Sequence, residues 1–411
     1  MERETYLILR MAQPGGLESY DPVRSAGEQY GMTPKGGLAP AYQIRTETLD
    51  QQDYREARRD RRVAALAPPI PLRLIAPVAA EGPAAQAAAD PPHIHDAAWG
   101  VYATGALQSR YAGYGVTVAV LDTGIDATHE AFEGVTLIQK DFTGEGDGDE
   151  NGHGTHVAGT IFGQTVGDVR IGVAYGVRRA LIGKVLGMRR SASTAEMVDA
   201  IQWAIAEGAQ IINMSLEFDF PRMVRDLTAM GMEVDLATSK ALAQYRDNVR
   251  FFDKLGELLR AQAAQFPSAL IIAAAGNGSR RLIKREYVIE VAPPAAADGV
   301  IAVAALQSAG APHEQFSVAP FSNIRAAVAA PGMGIYSARS GGGYTTMNGT
   351  SMAAPHVAGV AALWAEQLLQ REGLVRPERL ETRLLGKAST DRIQGADYDD
   401  VGEGLVAAPR D

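Results

Sequence analysis

Asn348-Gly349-Thr350-Ser351-Met352-Ala353-Ala354-Pro355-His356-Val357-Ala358-Gly359 is the stretch whose reading decides the fold. A serine follows a glycine-bearing turn, and an apolar run with helical spacing follows the serine: Val357, Val360, Leu363, Trp364, Leu368. Small residues (Ala353, Ala354, Ala358, Gly359, Ala361, Ala362) let neighbouring backbone approach closely. The pattern predicts a buried helix with Ser351 at its N-terminus. Unpaired N–H groups and the positive end of the helix dipole favour developing negative charge there. Two readings stand for Ser351 on this evidence. One is a helix cap. The other is a nucleophile, which needs a base and an oxyanion hole from elsewhere in the chain.

Working outward, the 411 residues suggest two or three domains. An apolar fraction of 46% and a charged fraction of 21% fit a globular protein with a large core. The net charge of -9 excludes the basic footprint of a nucleic-acid or anionic-membrane binder. There is no cysteine, which excludes disulfides, thiolate chemistry and Cys-based metal sites. Met1 to Arg10 lacks the pattern of a signal peptide, so a cytoplasmic location is expected, with secretion as the alternative. No apolar run reaches transmembrane length.

Upstream, residues 1–80 read as a small separate α+β unit. Thr5–Arg10 and Tyr42–Thr46 are expected strands, and Asp50–Arg62 a charged surface helix. Gln13–Pro40 is expected to be a loop. Pro68, Pro69, Pro71 and Pro77 interrupt Val63–Val78, so only Leu72–Ile75 is expected to be a strand there, at an edge. Residues 81–98 read as an Ala- and Pro-rich linker, and 99–411 as the main domain. In that domain, Val116–Ile125, Ala180–Leu186, Gln210–Leu216, Ala269–Gly276 and Val300–Leu306 are short apolar runs. A helical segment, Ser193–Glu207, separates two of them. Doubly buried strands alternating with helices predict an α/β sandwich of three layers around a mostly parallel sheet. Ligand sites in such sheets lie beyond the carboxyl ends of the strands.

Asp122 stands at one expected strand end, followed by a turn glycine, and Asn277 at another. His153 opens a small-residue helix in Asn151-Gly-His-Gly-Thr-His-Val-Ala-Gly159. Asp, His, amide and Ser at element ends are the parts a serine nucleophile requires. Asp…His…Ser is also the chain order of one convergent triad.

The blocks around Asp122, His153, Asn277 and Ser351 resemble those of the subtilisin-like serine proteases, from about Trp99 to the C-terminus. The resemblance implies a serine endopeptidase acting on protein or peptide substrates. It makes Asp122 the orienting carboxylate, His153 the general base, Ser351 the nucleophile and Asn277 the oxyanion donor. It implies that Ser215 and Leu216 pair with substrate backbone, and that Ala274, Ala275 and Gly276 wall the pocket opposite. Glu217 and Phe218 depart from the glycines the family often has there. A carboxylate at Glu217, beside bound peptide, is expected to favour basic side chains; the alternative is a solvated Glu with no contact to substrate. Residues 1 to about 90 resemble a propeptide in position, so the N-terminal segment is expected to act as an intramolecular inhibitor. Self-cleavage is then expected between Ala79 and Asp96; the alternative is a permanent N-terminal domain joined by an uncut linker.

Alternatives to an endopeptidase are an inactive peptide-binding homologue and an esterase with the same machinery. A nucleotide-binding domain is excluded, because neither a Walker-type nor a dinucleotide-type glycine motif occurs. An inserted helix, Ala237–Phe266, has an apolar stripe of Leu242, Tyr245, Val249, Phe252, Leu255 and Leu259. It reads as a packed surface helix or as a lid or wall on the substrate cleft. No cofactor is required by this chemistry, and calcium is an option the family offers. Asp147 to Gly152 carries half of a calcium-loop pattern but lacks the closing glutamate, so it reads as a solvated acidic loop with no metal residues assigned. His156 and His356 read as packed structural residues.

Overall fold

The computed structural model describes residues 3–11, 42–79, 93–94, 97–166, 169–189, 192–263, 268–310 and 314–410. The expected 13–40 loop, and nearly all of the expected linker and cleavage window, lie outside the described residues. The N-terminal part runs β1 (Glu4–Met11), β2 (Tyr42–Leu49), α1 (Gln51–Arg59), β3 (Val63–Ala67) and β4 (Leu72–Leu74). The sheet order is β2-β1-β3, antiparallel throughout. Strand alternation splits its apolar residues between two faces. Ile8 packs with Leu49 and Ala57 of α1. Leu7, Leu9, Tyr42 and Ala67 face the other way and join the core of the main sheet. α1 starts where Asp50 accepts from the N–H groups of Gln52 and Asp53, a capping box closed by Asp53.

β3 corrects the expectation that prolines leave only Leu72–Ile75 extended. All four prolines follow Ala67, so Val63–Ala67 keeps its N–H groups and pairs with β1. β4 is a strand as expected, but its partner lies in the main domain.

The main part continues β5 (Thr117–Asp122), β6 (Thr136–Asp141), α2 (His153–Phe162), β7 (Arg179–Lys184), α3 (Thr194–Ala206), β8 (Ile211–Met214), β9 (Leu216–Phe218), α4 (Phe220–Ala229), α5 (Val234–Gln262), β10 (Leu270–Ala274), β11 (Val300–Ser308), β12 (Phe316–Val318), β13 (Val328–Pro331) and α6 (Thr350–Glu372). Eight of these strands form one sheet in the order β12-β11-β10-β8-β5-β7-β6, with β13 also on β11. All pairs are parallel except β11–β12. The fold is the expected three-layer α/β architecture. Every residue of β5, β8 and β10 is buried, which is why those runs are apolar without alternation. α6 lies across β8, β10, β11 and β13 and packs on α2. Its Gly359 has no room for a side chain, since a Cβ would sit 2.5 Å from Val173.

α4 was not foreseen; Asp219 caps it by accepting from the Arg222 N–H, and Pro221 lies in its first turn. α5 buries Phe251, Phe252, Leu255 and Leu259, while Leu242, expected in its apolar stripe, is exposed. α5 packs on α4 and on β3. It is packed as a surface helix against the N-terminal sheet, and its Tyr245 and Phe252 also pack on Phe218 of β9, the strand that β4 pairs with. Asn248, fully buried on α5, donates to Pro68 O at 2.8 Å and accepts from Thr194 Oγ1 at 2.9 Å. Among the described residues, no helix is long and apolar enough to cross a membrane.

Candidate active site

β5, β8 and β10 are parallel neighbours in the sheet, and α2 packs on α6. β5 ends in Asp122, and α2 begins at His153 behind Gly152, whose φ of 89° is left-handed. His153 Nδ1 lies 2.8 Å from Asp122 Oδ1, and both side chains are almost fully buried. Oδ1 also accepts from the Thr123 N–H at 2.7 Å. With Nδ1–H bound to the carboxylate, the imidazole presents Nε2 as its free basic nitrogen. Nε2 has no hydrogen-bond partner among the described residues.

Two glycines permit this approach. A Cβ on Gly154 would sit 2.2 Å from Gly124 O, and one on Gly124 2.1 Å from Gly148 O. Thr123 and Asp149 tie the turns together, and sequence reading missed both. Thr123 Oγ1 accepts from the Gly154 N–H and donates to Asp149 Oδ1. Asp149 accepts further from the N–H groups of Gly152 and Thr155 and from Thr155 Oγ1. Asp149 is thus a buried brace, not part of a solvated acidic loop. Its acceptor sites are taken up by first-turn donors of α2, which is a helix-capping pattern hidden inside an apparent metal motif. Among the described residues, no three His, Asp or Glu side chains converge as metal ligands.

Ser351 lies in the first turn of α6 and is fully buried. Asn277 follows β10. Its Oδ1 accepts from the Thr350 N–H and Oγ1, both at 2.9 Å, which fixes the amide with Nδ2 turned outward. Asn323 holds the loop carrying Asn277 by accepting from Gly278 and Ser279 and donating to Ala275 O. His156 and His356 are buried; His156 Nε2 donates to Ile335 O and His356 Nδ1 to Met352 O. Burial pushes their pKa values down to about 3 and about 4.

The N-terminal chain runs through the site. β4 pairs antiparallel with β9: Leu74 with Leu216, Arg73 with Glu217, Leu72 with Phe218. Ile75 N–H donates to Ser215 O at 3.4 Å. Ser351 Oγ donates to Ile75 O at 2.9 Å, and Asn277 Nδ2 donates to Ala76 O at 3.0 Å. Beyond them Val78 N–H donates to Asn348 O, and Asn348 Nδ2 donates to Val78 O. Ser215, Leu216 and Glu217 thus meet extended backbone. Ala274 and Ala275 are buried behind the site, and Gly276 has φ 108° with Glu217 nearby. The segment across Ser351 is residues 75–76, just upstream of the expected 79–96 window.

The pattern of the Subtilase family matches residues 113–403. The chain belongs to the subtilase family. The relatives it matches carry the names of serine proteases, one of them an exoprotease. This subtilase is 35% identical to "Subtilisin DY" of Bacillus licheniformis over 263 residues, 62% of this chain and 77% of that one. It is 32% identical to "Alkaline serine exoprotease A" of Vibrio alginolyticus over 292 residues, 69% of this chain but 44% of the other. A "Thermophilic serine proteinase" of Bacillus sp. (strain AK1) is 32% identical over 327 residues, 75% of this chain and 68% of that protein.

Proposed function

We propose that this subtilase is a serine endopeptidase that is made with its cleft filled by its own N-terminal segment. The observation that carries the proposal is that Ser351 and Asn277 both donate to one extended backbone segment, while Asp122 and His153 form a buried pair at the start of a helix packed against that of Ser351. In the reaction, His153 Nε2 takes the Ser351 proton as Oγ bonds to the substrate carbonyl carbon. Asp122 holds the ring and stabilises the imidazolium. The carbonyl oxygen becomes an oxyanion facing Asn277 Nδ2 and the Ser351 N–H. Collapse breaks the C–N bond, and the amine leaves with the proton from His153. Water, deprotonated by His153, then releases the acyl group from Ser351.

The inhibitor reading is favoured over an uncut passive domain by backbone pairing of β4 to β9, which is how an extended peptide adds to an exposed edge. The bond after Ile75 faces the nucleophile, whereas the next one is the tertiary amide of Pro77. We therefore propose that self-cleavage starts at Ile75–Ala76. Mass spectrometry of purified wild-type and Ser351→Ala chains tests this. A new N-terminus at Ala76 in the wild type only is expected; two full-length chains, with the wild type active on peptides, would overturn the inhibitor reading. Loss of peptide turnover in Ser351→Ala and in His153→Ala, with the double variant little worse than either, tests the triad. A fluorophosphonate that fails to label Ser351 would favour the inactive homologue, and turnover of esters alone the esterase.

A further inference from the structure

Glu217 lies on β9 directly opposite Arg73. Arg73 Nε donates to Glu217 Oε1 at 2.7 Å, and its Nη1 lies 3.6 Å from Asp219 Oδ1. The two carboxylates are largely withdrawn from water, at 12% and 11% side-chain exposure, while Arg73 keeps 46%. The acidic groups are therefore built into the wall, and the cation comes in on the occupant. Glu217 Oε2 also reaches within 3.4 Å of where a Cβ on Gly276 would stand, so the carboxylate borders the cleft itself. Burial raises the Glu217 carboxyl above its ordinary range even though Arg73 opposes this, which fits a carboxylate short of solvent.

Main-chain hydrogen bonds set the register of residues 72–75 on β9, and any peptide running the same way would repeat them. Such a peptide would lack Arg73 unless it brought its own cation. A carboxylate this far from water, left without one, is costly, and an acidic side chain against it more so. We propose that Glu217, backed by Asp219, is a specificity-determining residue that selects Arg or Lys as the third residue before the cleaved bond. Arg73 holds that place relative to Ile75, whose carbonyl meets Ser351. The inference rests on the proposed roles of Ser351 and of the N-terminal segment.

The first test is cleavage-site profiling on a peptide library by the wild type and by Glu217→Gln. The wild type should prefer Arg over Ala at the third position by roughly tenfold in kcat/KM, the low end for a charge-assisted hydrogen bond because the guanidinium is partly in water. The preference should sit in KM, shrink with salt, and fall to about twofold or less in Glu217→Gln. A flat wild-type profile there, or one unchanged in Glu217→Gln, overturns the proposal.

The second test needs no turnover and so separates this inference from the endopeptidase reading. In the full-length Ser351→Ala chain, hydrogen exchange at Leu72–Ile75 should quicken about tenfold with Arg73→Glu and little with Arg73→Lys. Combining Arg73→Glu with Glu217→Arg should restore protection. Equal exchange in Arg73→Glu and Arg73→Lys overturns the proposal even if no peptide is ever cut.

Discussion

Replacing Asn248 with Ala should loosen the N-terminal segment without touching the cleft. Asn248 sits on α5, is fully buried, and joins three parts of the chain. Its Nδ2 donates to Pro68 O at 2.8 Å and to Gln244 O at 3.0 Å, and its Oδ1 accepts from Thr194 Oγ1 at 2.9 Å. Only the first of these crosses to the segment that continues into β4. Thr194 Oγ1 is held twice, since it also accepts from the Ile70 N–H at 3.2 Å. The alanine variant leaves the half-buried Pro68 O without this donor and releases Thr194 Oγ1 to turn away from Ile70. A half-buried acceptor left unpaired costs towards the low end of about 1–3 kcal/mol, and a weakened neutral hydrogen bond adds about 1 kcal/mol. Part of this is a loss internal to α5, so about 2 kcal/mol bears on docking. At about 1.4 kcal/mol per factor of ten, the undocked population should rise roughly 30-fold. The assay is the rate at which a fluorophosphonate labels Ser351 in full-length chain, with intactness checked by mass. A labelling rate equal to that of the wild type would refute the idea that α5 anchors the segment. Thr194→Ser, which keeps the hydroxyl, should label like the wild type.

Two further outcomes follow from the geometry. Asn277→Ala should lower kcat by about 10²–10³ with KM little changed, a range carried over from subtilisin itself for the loss of one oxyanion donor; an unchanged kcat, with chemistry rate-limiting, would remove Asn277 from the site. His156 and His356 are depressed to about 3 and about 4 by burial, so each is neutral in the folded chain below its unfolded pKa near 6.5. The unfolded state then binds more protons, and stability is lost as pH falls from about 6.5 towards 4, at about 1.4 kcal/mol per pH unit for each histidine. Denaturant unfolding of the Ser351→Ala chain at pH 6 and pH 5 measures that slope. His156→Asn should reduce it by the share of one histidine, and an identical slope would show that the buried imidazole does not carry the effect.

The parallel sheet was legible because its strands are buried on both faces: Val118–Leu121, Ile211–Met214 and Leu270–Ala274 are apolar without a break. The placement of Asp122, His153, Asn277 and Ser351 at element ends was legible for a related reason. Polar residues interrupt apolar runs there, and glycines mark the turns. β6 escaped because Thr136–Asp141 is an edge strand with mixed composition, half exposed on its outer side. β3 escaped because nearby prolines were allowed to condemn a segment they do not enter. Asp149 was misread because carboxylates spaced along a glycine-rich loop look alike whether they bind a cation or cap a helix. Only the burial and the Thr155 contacts distinguish the two. The pairing of β4 with β9 could not be read locally at all, since it joins residues 144 positions apart in the chain, and neither strand signals its partner.

That pairing also bears on why the segment would inhibit before it is cut. Attack requires the Ser351 proton to point at His153 Nε2 and the attacked carbonyl oxygen to point at Asn277. In the structure the proton is given to Ile75 O instead, and Asn277 holds Ala76 O, the next carbonyl along. Two neighbouring carbonyls thus divide the nucleophile and the oxyanion donor between them. On the proposed reading, the hydroxyl is quenched by the very oxygen whose carbon it would attack. Cleavage at Ile75–Ala76 then needs Ile75 O to move over to Asn277, which frees Ala76 O and turns the Ser351 hydroxyl towards His153. The ladder of β4 on β9 resists that movement upstream, and the two Asn348 hydrogen bonds to Val78 resist it downstream. A segment tied on both sides of the bond is held short of reaction by the same main-chain contacts that would position a freely bound peptide.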